Sequence, residues 1–106
     1  MALHDIRFGI DPIEGFWTME KEWSHVGVVG SGDLEILLRR KDSPMVDVKV
    51  RTPVSGFDDI WRAVLEKAVG EAGIGGVSIE IYDNNATPFV VAVRLKQSFA
   101  GCGPQM

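Results

Sequence analysis

The chain has 106 residues, 45% of them hydrophobic, and a formal net charge of −4 from 15 acidic and 11 basic residues. That is enough chain for one domain around a single core, and the mixed charges leave no basic stripe to neutralise phosphates, so nucleic acid is not an expected partner. The apolar runs fall far short of the roughly 20 residues that cross a bilayer, so no membrane partner is expected either. Cys102, the single cysteine, stands in a Gly-Pro-rich tail and cannot form an internal disulfide. With no charged-then-apolar leader ahead of the domain, the expected location is cytoplasmic.

Residues 1–22 read as an N-terminal extension. Ile6-Arg7-Phe8 suits a short strand, but Gly9, Asp11-Pro12 and Gly15 interrupt any regular pattern. Phe16, Trp17, Met19 and Trp23 add apolar surface that either covers an edge of the domain, the expected outcome, or meets another protein. Residues 24–30 and 34–40 then flank Gly30-Ser31-Gly32-Asp33, which reads as strand, tight turn, strand with the Ser31 hydroxyl at the tip. Glycine on either side of Ser31 permits positive φ and clears room for a large group. Leu34, Ile36 and Leu38 share one face of the second strand. Leu37 spoils the alternation on the other, which suggests cover on both faces or a subunit contact.

Val46, Val48 and Val50 alternate cleanly with Asp47, Lys49 and Arg51, predicting a third strand. Thr52-Pro53-Val54-Ser55-Gly56 ends it and opens a helix, with Ser55 expected as the N-terminal cap and Asp58 and Asp59 facing the positive helix end. Phe57, Ile60, Trp61, Val64, Leu65, Ala68 and Val69 recur at three- and four-residue steps, so this stripe is expected to pack on the sheet, with Phe57 and Trp61 in the core. Gly73 fits a C-terminal cap. Val77, Ile79 and Ile81 predict a fourth strand, residues 83–88 a turn, and residues 89–97 a closing strand with Val91, Val93 and Leu95 inward and Arg94 and Lys96 exposed. Ser98 to Met106 is expected to fray, with 100–106 as a flexible tail. The predicted fold is α+β: an antiparallel-rich sheet with one main helix on a face, in the order β-β-β-α-β-β, with an extra N-terminal strand possible.

Catalytic constellations are thin. His25 and Asp33 bracket Ser31, yet a nucleophile elbow wants Gly-x-Ser-x-Gly at a strand-to-helix turn, and here Val29 and Asp33 hold the glycine positions and a strand follows. Gly30-x-Gly32 followed by Glu35 fails the dinucleotide fingerprint, and no Gly-Lys-Ser/Thr stands in the chain. Two histidines and one cysteine give no metal-ligand spacing. Asp33 and Glu35 lie two apart on a strand, but acid-base work needs one of them buried, and solvated surface acids are the plainer reading. Neither catalytic residues nor a metal are therefore expected.

Gly30-Ser31-Gly32-Asp33-Leu34-Glu35-Ile36-Leu37-Leu38, preceded by Val26-Gly27-Val28-Val29, resembles the signature of the acyl-carrier (delta) subunit family of malonate decarboxylase. Trp61, Ile79-Glu80-Ile81-Tyr82-Asp83, Ala86-Thr87-Pro88 and Val91-Ala92-Val93-Arg94-Leu95-Lys96-Gln97 also match in order and spacing, so the similarity runs from about Trp23 to Phe99. The family begins with a short strand, matching Leu3 to Phe8 here. The chain departs from it in the aromatic stretch near residues 12–23 and in Asn84-Asn85.

The resemblance implies an acyl-carrier domain over 23–99, itself non-catalytic. It further implies that Ser31, supported by the turn residues Gly30, Gly32 and Asp33, holds a covalent 2'-(5''-phosphoribosyl)-3'-dephospho-CoA through a phosphodiester. The cofactor thiol would carry acetyl and malonyl thioesters between the transferase and decarboxylase subunits, after loading by a holo-carrier transfer enzyme. In that setting Asp33 is a turn-forming or enzyme-recognition group. The nearest rival is the gamma acyl-carrier chain of citrate lyase, which shares the cofactor and a similar Ser-Gly-Asp. From another class, a cofactor-free interaction module stays open.

Overall fold

The computed structural model describes residues 3–26 and 33–102. In chain order the elements are β1 (His4–Ile10), β2 (Trp23–Val26), β3 (Asp33–Arg40), β4 (Val46–Thr52), α1 (Asp58–Ala72), β5 (Val77–Asn84) and α2 (Pro88–Cys102). The five strands form one sheet in the spatial order β1-β4-β5-β3-β2. β1 pairs antiparallel with β4, β5 with β3 and β3 with β2, while β4 and β5 run parallel. A parallel pair needs a crossover, and α1 supplies it.

The α+β class and the antiparallel-rich sheet therefore hold, and the additional N-terminal strand is present as β1. The order β-β-β-α-β-β and the single helix do not hold. Phe89–Gln97 is no strand but the greater part of the second helix. Val90, Val91 and Val93 look like strand residues, yet Val91, Leu95, Ser98, Phe99 and Cys102 are the buried positions, at steps of four, three, one and three. The start is coded locally. Thr87 accepts the Val90 N–H at its hydroxyl (3.3 Å) and the Val91 N–H at its carbonyl (3.0 Å), and Pro88 takes the first helical position, where a missing N–H costs nothing. Residues 98–102, expected to fray, continue α2 and bury Phe99 and Cys102.

The strand faces follow their alternation. Ile6, Phe8, Leu34, Ile36, Leu38, Val46, Val48, Val50, Val77, Ile79 and Ile81 are buried and join Trp61, Leu65, Val69, Val91, Leu95 and Phe99 in one core cluster. Glu35 and Leu37 point the other way and are half-buried. α1 ends at Gly73, whose φ of 74° is left-handed and whose N–H reaches the Val69 carbonyl, as expected of a C-terminal cap. Its start differs from expectation. Phe57, not Ser55, is the capping residue and no side chain bonds there, because Gly56 turns the chain at φ 86° between Ser55 and the helix. Asp58 and Asp59 do occupy the first turn. Trp61 is core, whereas Phe57 (44%) and Ile60 (43%) remain exposed, since the first turn of α1 stands clear of the core.

The aromatic stretch before β2 mostly covers its own domain. Trp17 donates from its indole to the Ala72 carbonyl at 2.7 Å and exchanges backbone bonds with Gly73 and Gly75, and Met19 is buried. Phe16 fills the space over Gly75, where an added Cβ would lie 2.4 Å from its ring. Trp23, on edge strand β2, is 60% exposed. Among the described residues no helix is long and apolar enough to cross a membrane.

Candidate functional site

The expected site residues Gly30, Ser31 and Gly32 lie outside the described residues, and Asp33 is the first residue of β3. The strands that carry this motif have a definite register. Trp23 pairs with Arg39, Ser24 with Leu38, His25 with Leu37 and Val26 with Ile36. In every pair the two partners are equally distant in sequence from position 31.

Asp33 is held on three sides of its carboxylate. Arg94 on α2 donates from Nε to Oδ1 at 3.1 Å and from Nη2 to Oδ2 at 2.9 Å, a two-pronged pairing that planar guanidinium and carboxylate groups favour. The Leu34 N–H adds a bond to Oδ1 at 2.7 Å. Arg94 chiefly, and the Leu34 N–H second, hold the Asp33 carboxyl below the usual carboxylate range, and the same pairing raises Arg94. Arg94 is steadied by Gln97, which accepts from its Nη1 at 3.0 Å. As part of a closing strand Arg94 is expected exposed, whereas on α2 it meets Asp33. Helix periodicity in 88–102 was the signal that would have turned it toward the sheet.

The other candidate groups separate. His25 faces Glu35 across the hairpin, with Nε2 and Oε2 3.0 Å apart, while Asp33 is bonded to Arg94. Asp33 and Glu35 thus serve different partners and form no carboxylate pair. His25 is drawn to Glu35 and not to Asp33.

At the end of the sheet where β4 and β5 finish, an apolar groove of about 250 Å³ opens between the first turn of α1, the β5–α2 turn and the start of α2. Phe57, Ile60, Trp61 and Pro88 are among its walls, and Thr52, Asp83 and Asn85 are its polar part. The buried Thr52 hydroxyl donates to Asp83 Oδ2 at 2.8 Å and accepts the Val54 N–H at 3.1 Å, while Asp83 Oδ1 accepts the Ala86 N–H at 2.8 Å. Sequence reading placed Asp83 in a turn and Thr52 at a strand end but could not bring them together, because they are neighbours only through the parallel β4–β5 pairing.

Known proteins match this chain over most of its length. A family model described as the malonate decarboxylase delta subunit (MdcD), an acyl carrier protein, matches residues 21–102. The malonate decarboxylase acyl carrier protein of Malonomonas rubra is 54% identical over 77 residues, covering 72% of this chain and 69% of that protein. That of Burkholderia cepacia is 44% identical over 75 residues, covering 71% and 69%. In three dimensions the chain resembles one chain of the crystal structure of a Pseudomonas malonate decarboxylase hetero-tetramer in complex with malonate. The TM-score is 0.77 at 32% identity, over 97% of this chain and 100% of that one. The chain belongs to the malonate decarboxylase delta-subunit family of acyl carrier proteins.

Proposed function

We propose that Ser31 is the attachment point of 2'-(5''-phosphoribosyl)-3'-dephospho-CoA, and that this chain is the acyl carrier of a malonate decarboxylase. The observation that carries the reading is the β2–β3 register, centred on Ser31 within Gly30-Ser31-Gly32-Asp33, in a chain of an acyl-carrier family. The fit to an anionic diester is supported by Arg94: a bare Asp33 carboxylate two residues from the linkage would repel it, and the guanidinium neutralises that charge. The thiol of the arm supplies the chemistry, carrying acetyl and malonyl groups as thioesters between a transferase and a decarboxylase subunit. The protein's share is tethering and docking, which raise the effective concentration of the acyl group at each active site.

In this reading residues 23–99 form the carrier domain, and a separate transfer enzyme loads the arm in the cytoplasm. Partner subunits are supported by the structural relative, which is one chain of a hetero-tetramer. The test is intact mass of protein made together with its maturation enzymes. The wild-type chain is expected to carry the adduct and Ser31→Ala to lack it; a wild type of unshifted mass, in a preparation where a known family member is loaded, would overturn the attachment. Releasing carbon dioxide from malonate with the remaining malonate decarboxylase subunits then tests the carrier role.

A further inference from the structure

The groove has a chemical character that its neighbours in the fold do not demand. Phe57 and Ile60 keep apolar surface open at its rim, where an ordinary helix start would carry polar groups. Its polar floor joins the Thr52 and Asp83 oxygens, whose nearby donors are already used, to Asn85, whose carboxamide carries both a donor and an acceptor. The Thr52 hydroxyl hydrogen goes to Asp83, the Val54 N–H to Thr52 and the Ala86 N–H to Asp83. Each Asp83 oxygen retains a further lone pair. Such a floor asks for a ligand that brings its own N–H donors between flat apolar faces, and at about 250 Å³ it is smaller than a site for a drug-sized molecule.

We infer that this groove seats the adenine ring of the prosthetic arm, its faces against Phe57 and Trp61 and its exocyclic amino group donating to Asp83. The inference rests on the attachment at Ser31 proposed above. Two peptide units separate Ser31 from Asp33, a reach of about 8 Å. Asp33 pairs directly with Asn84, and the next residues, Asn85 and Ala86, line the groove. Adenine is the arm's base and stands only two riboses from the linkage, so a groove at this end of the sheet meets it before the pantetheine and its thiol. The remaining units fit worse. Phosphates and a malonyl carboxylate would face the Asp83 charge with no cation among the lining residues, and pantetheine, an aliphatic chain, has no flat ring to set against Phe57 and Trp61. Seating the base fixes the root of the arm and leaves its thiol end free to travel between subunits.

Heteronuclear NMR of the full chain tests this. Loaded and unloaded protein are expected to differ at the Trp61 indole N–H, the Ala86 amide and the methyls of Val64 and Val91. Adenosine added to unloaded protein should move the same resonances, pantetheine should not, and purine riboside, which lacks the exocyclic amino group, should bind roughly tenfold more weakly. Phe57→Ala, at an exposed position that spares the core, should weaken adenosine roughly threefold. Groove resonances that coincide in loaded and unloaded protein overturn the inference, as does a groove that answers to pantetheine or to neither fragment. Purine riboside as strong as adenosine, or Phe57→Ala without effect, overturns the assigned contact. Loading is read separately as adduct mass: adenosine in the groove of a chain that never gains an adduct overturns attachment at Ser31 and leaves the groove standing.

Discussion

Arg94 on α2 and Asp33 at the start of β3, 61 positions apart in sequence, are joined by two parallel hydrogen bonds. The pair fastens the strand that leaves the serine turn to the helix covering the sheet. It therefore links the geometry of the candidate site to the placement of α2. Because both side chains are partly solvated, the pair contributes orientation more than stability.

The pair should be visible in acid. The Asp33 carboxyl is depressed in the folded chain, and Asp5 is depressed likewise, first by its bond from Arg51. A group with a lowered folded value contributes stability that is fully present above its unfolded value, about pH 4, and is lost as pH falls through the folded value. Thermal melting followed below pH 4 should show a decline that is shallower in Asp33→Asn. An identical decline in the two proteins would deny the pair any such role.

Asp33→Asn and Arg94→Gln should both slow cofactor loading while leaving the far-ultraviolet circular dichroism unchanged. The two bonds set where the exit of the turn lies for the transfer enzyme, and Asn cannot accept both prongs as a carboxylate does. Loading followed by intact mass against time is the measurement. Wild-type rates in both variants would mean that the turn is presented without help from the helix.

Helix and strand readings of residues 88–102 predict opposite patterns of mutational cost. Leu95 is fully buried and Val93 is 37% exposed, so Leu95→Ala should cost about 2–5 kcal/mol while Val93→Ala stays within about 1 kcal/mol. A strand with Val91, Val93 and Leu95 inward would make both severe. Urea unfolding of the two variants distinguishes them.

Capping gives an independent comparison. Thr87→Ala removes the hydroxyl that accepts the Val90 N–H and should destabilise by about 1 kcal/mol, whereas Ser55→Ala, at a position that makes no cap bond to α1, should be near neutral. A larger loss for Ser55 in denaturant melts would restore it as the cap.

Gly75→Ala sets a Cβ against the Phe16 ring and should cost about 1–3 kcal/mol. Adding Phe16→Ala should recover part of that loss, since the two sites are in contact. Purely additive effects in unfolding experiments would mean that residues 12–23 do not pack on the domain.

Much of this protein is determined by sequence alone. Strand alternation sorted Leu34, Ile36, Leu38, Val46, Val48, Val50, Val77, Ile79 and Ile81 to the buried face, because a period of two is a local property of an extended chain. The α1 stripe with its Gly73 cap, and the serine motif with the family it belongs to, were legible for similarly local reasons. Tertiary structure decided the rest. Val90-Val91-Ala92-Val93 is locally ambiguous, and only a core needing Val91, Leu95 and Phe99 on one stripe makes it a helix. Phe57 and Ile60 share the α1 period but lie past the core at the sheet's end, so they border the groove. Asp33 with Arg94, and Thr52 with Asp83, meet through strand order and helix placement. Those depend on long-range packing, which spacing along the chain does not record.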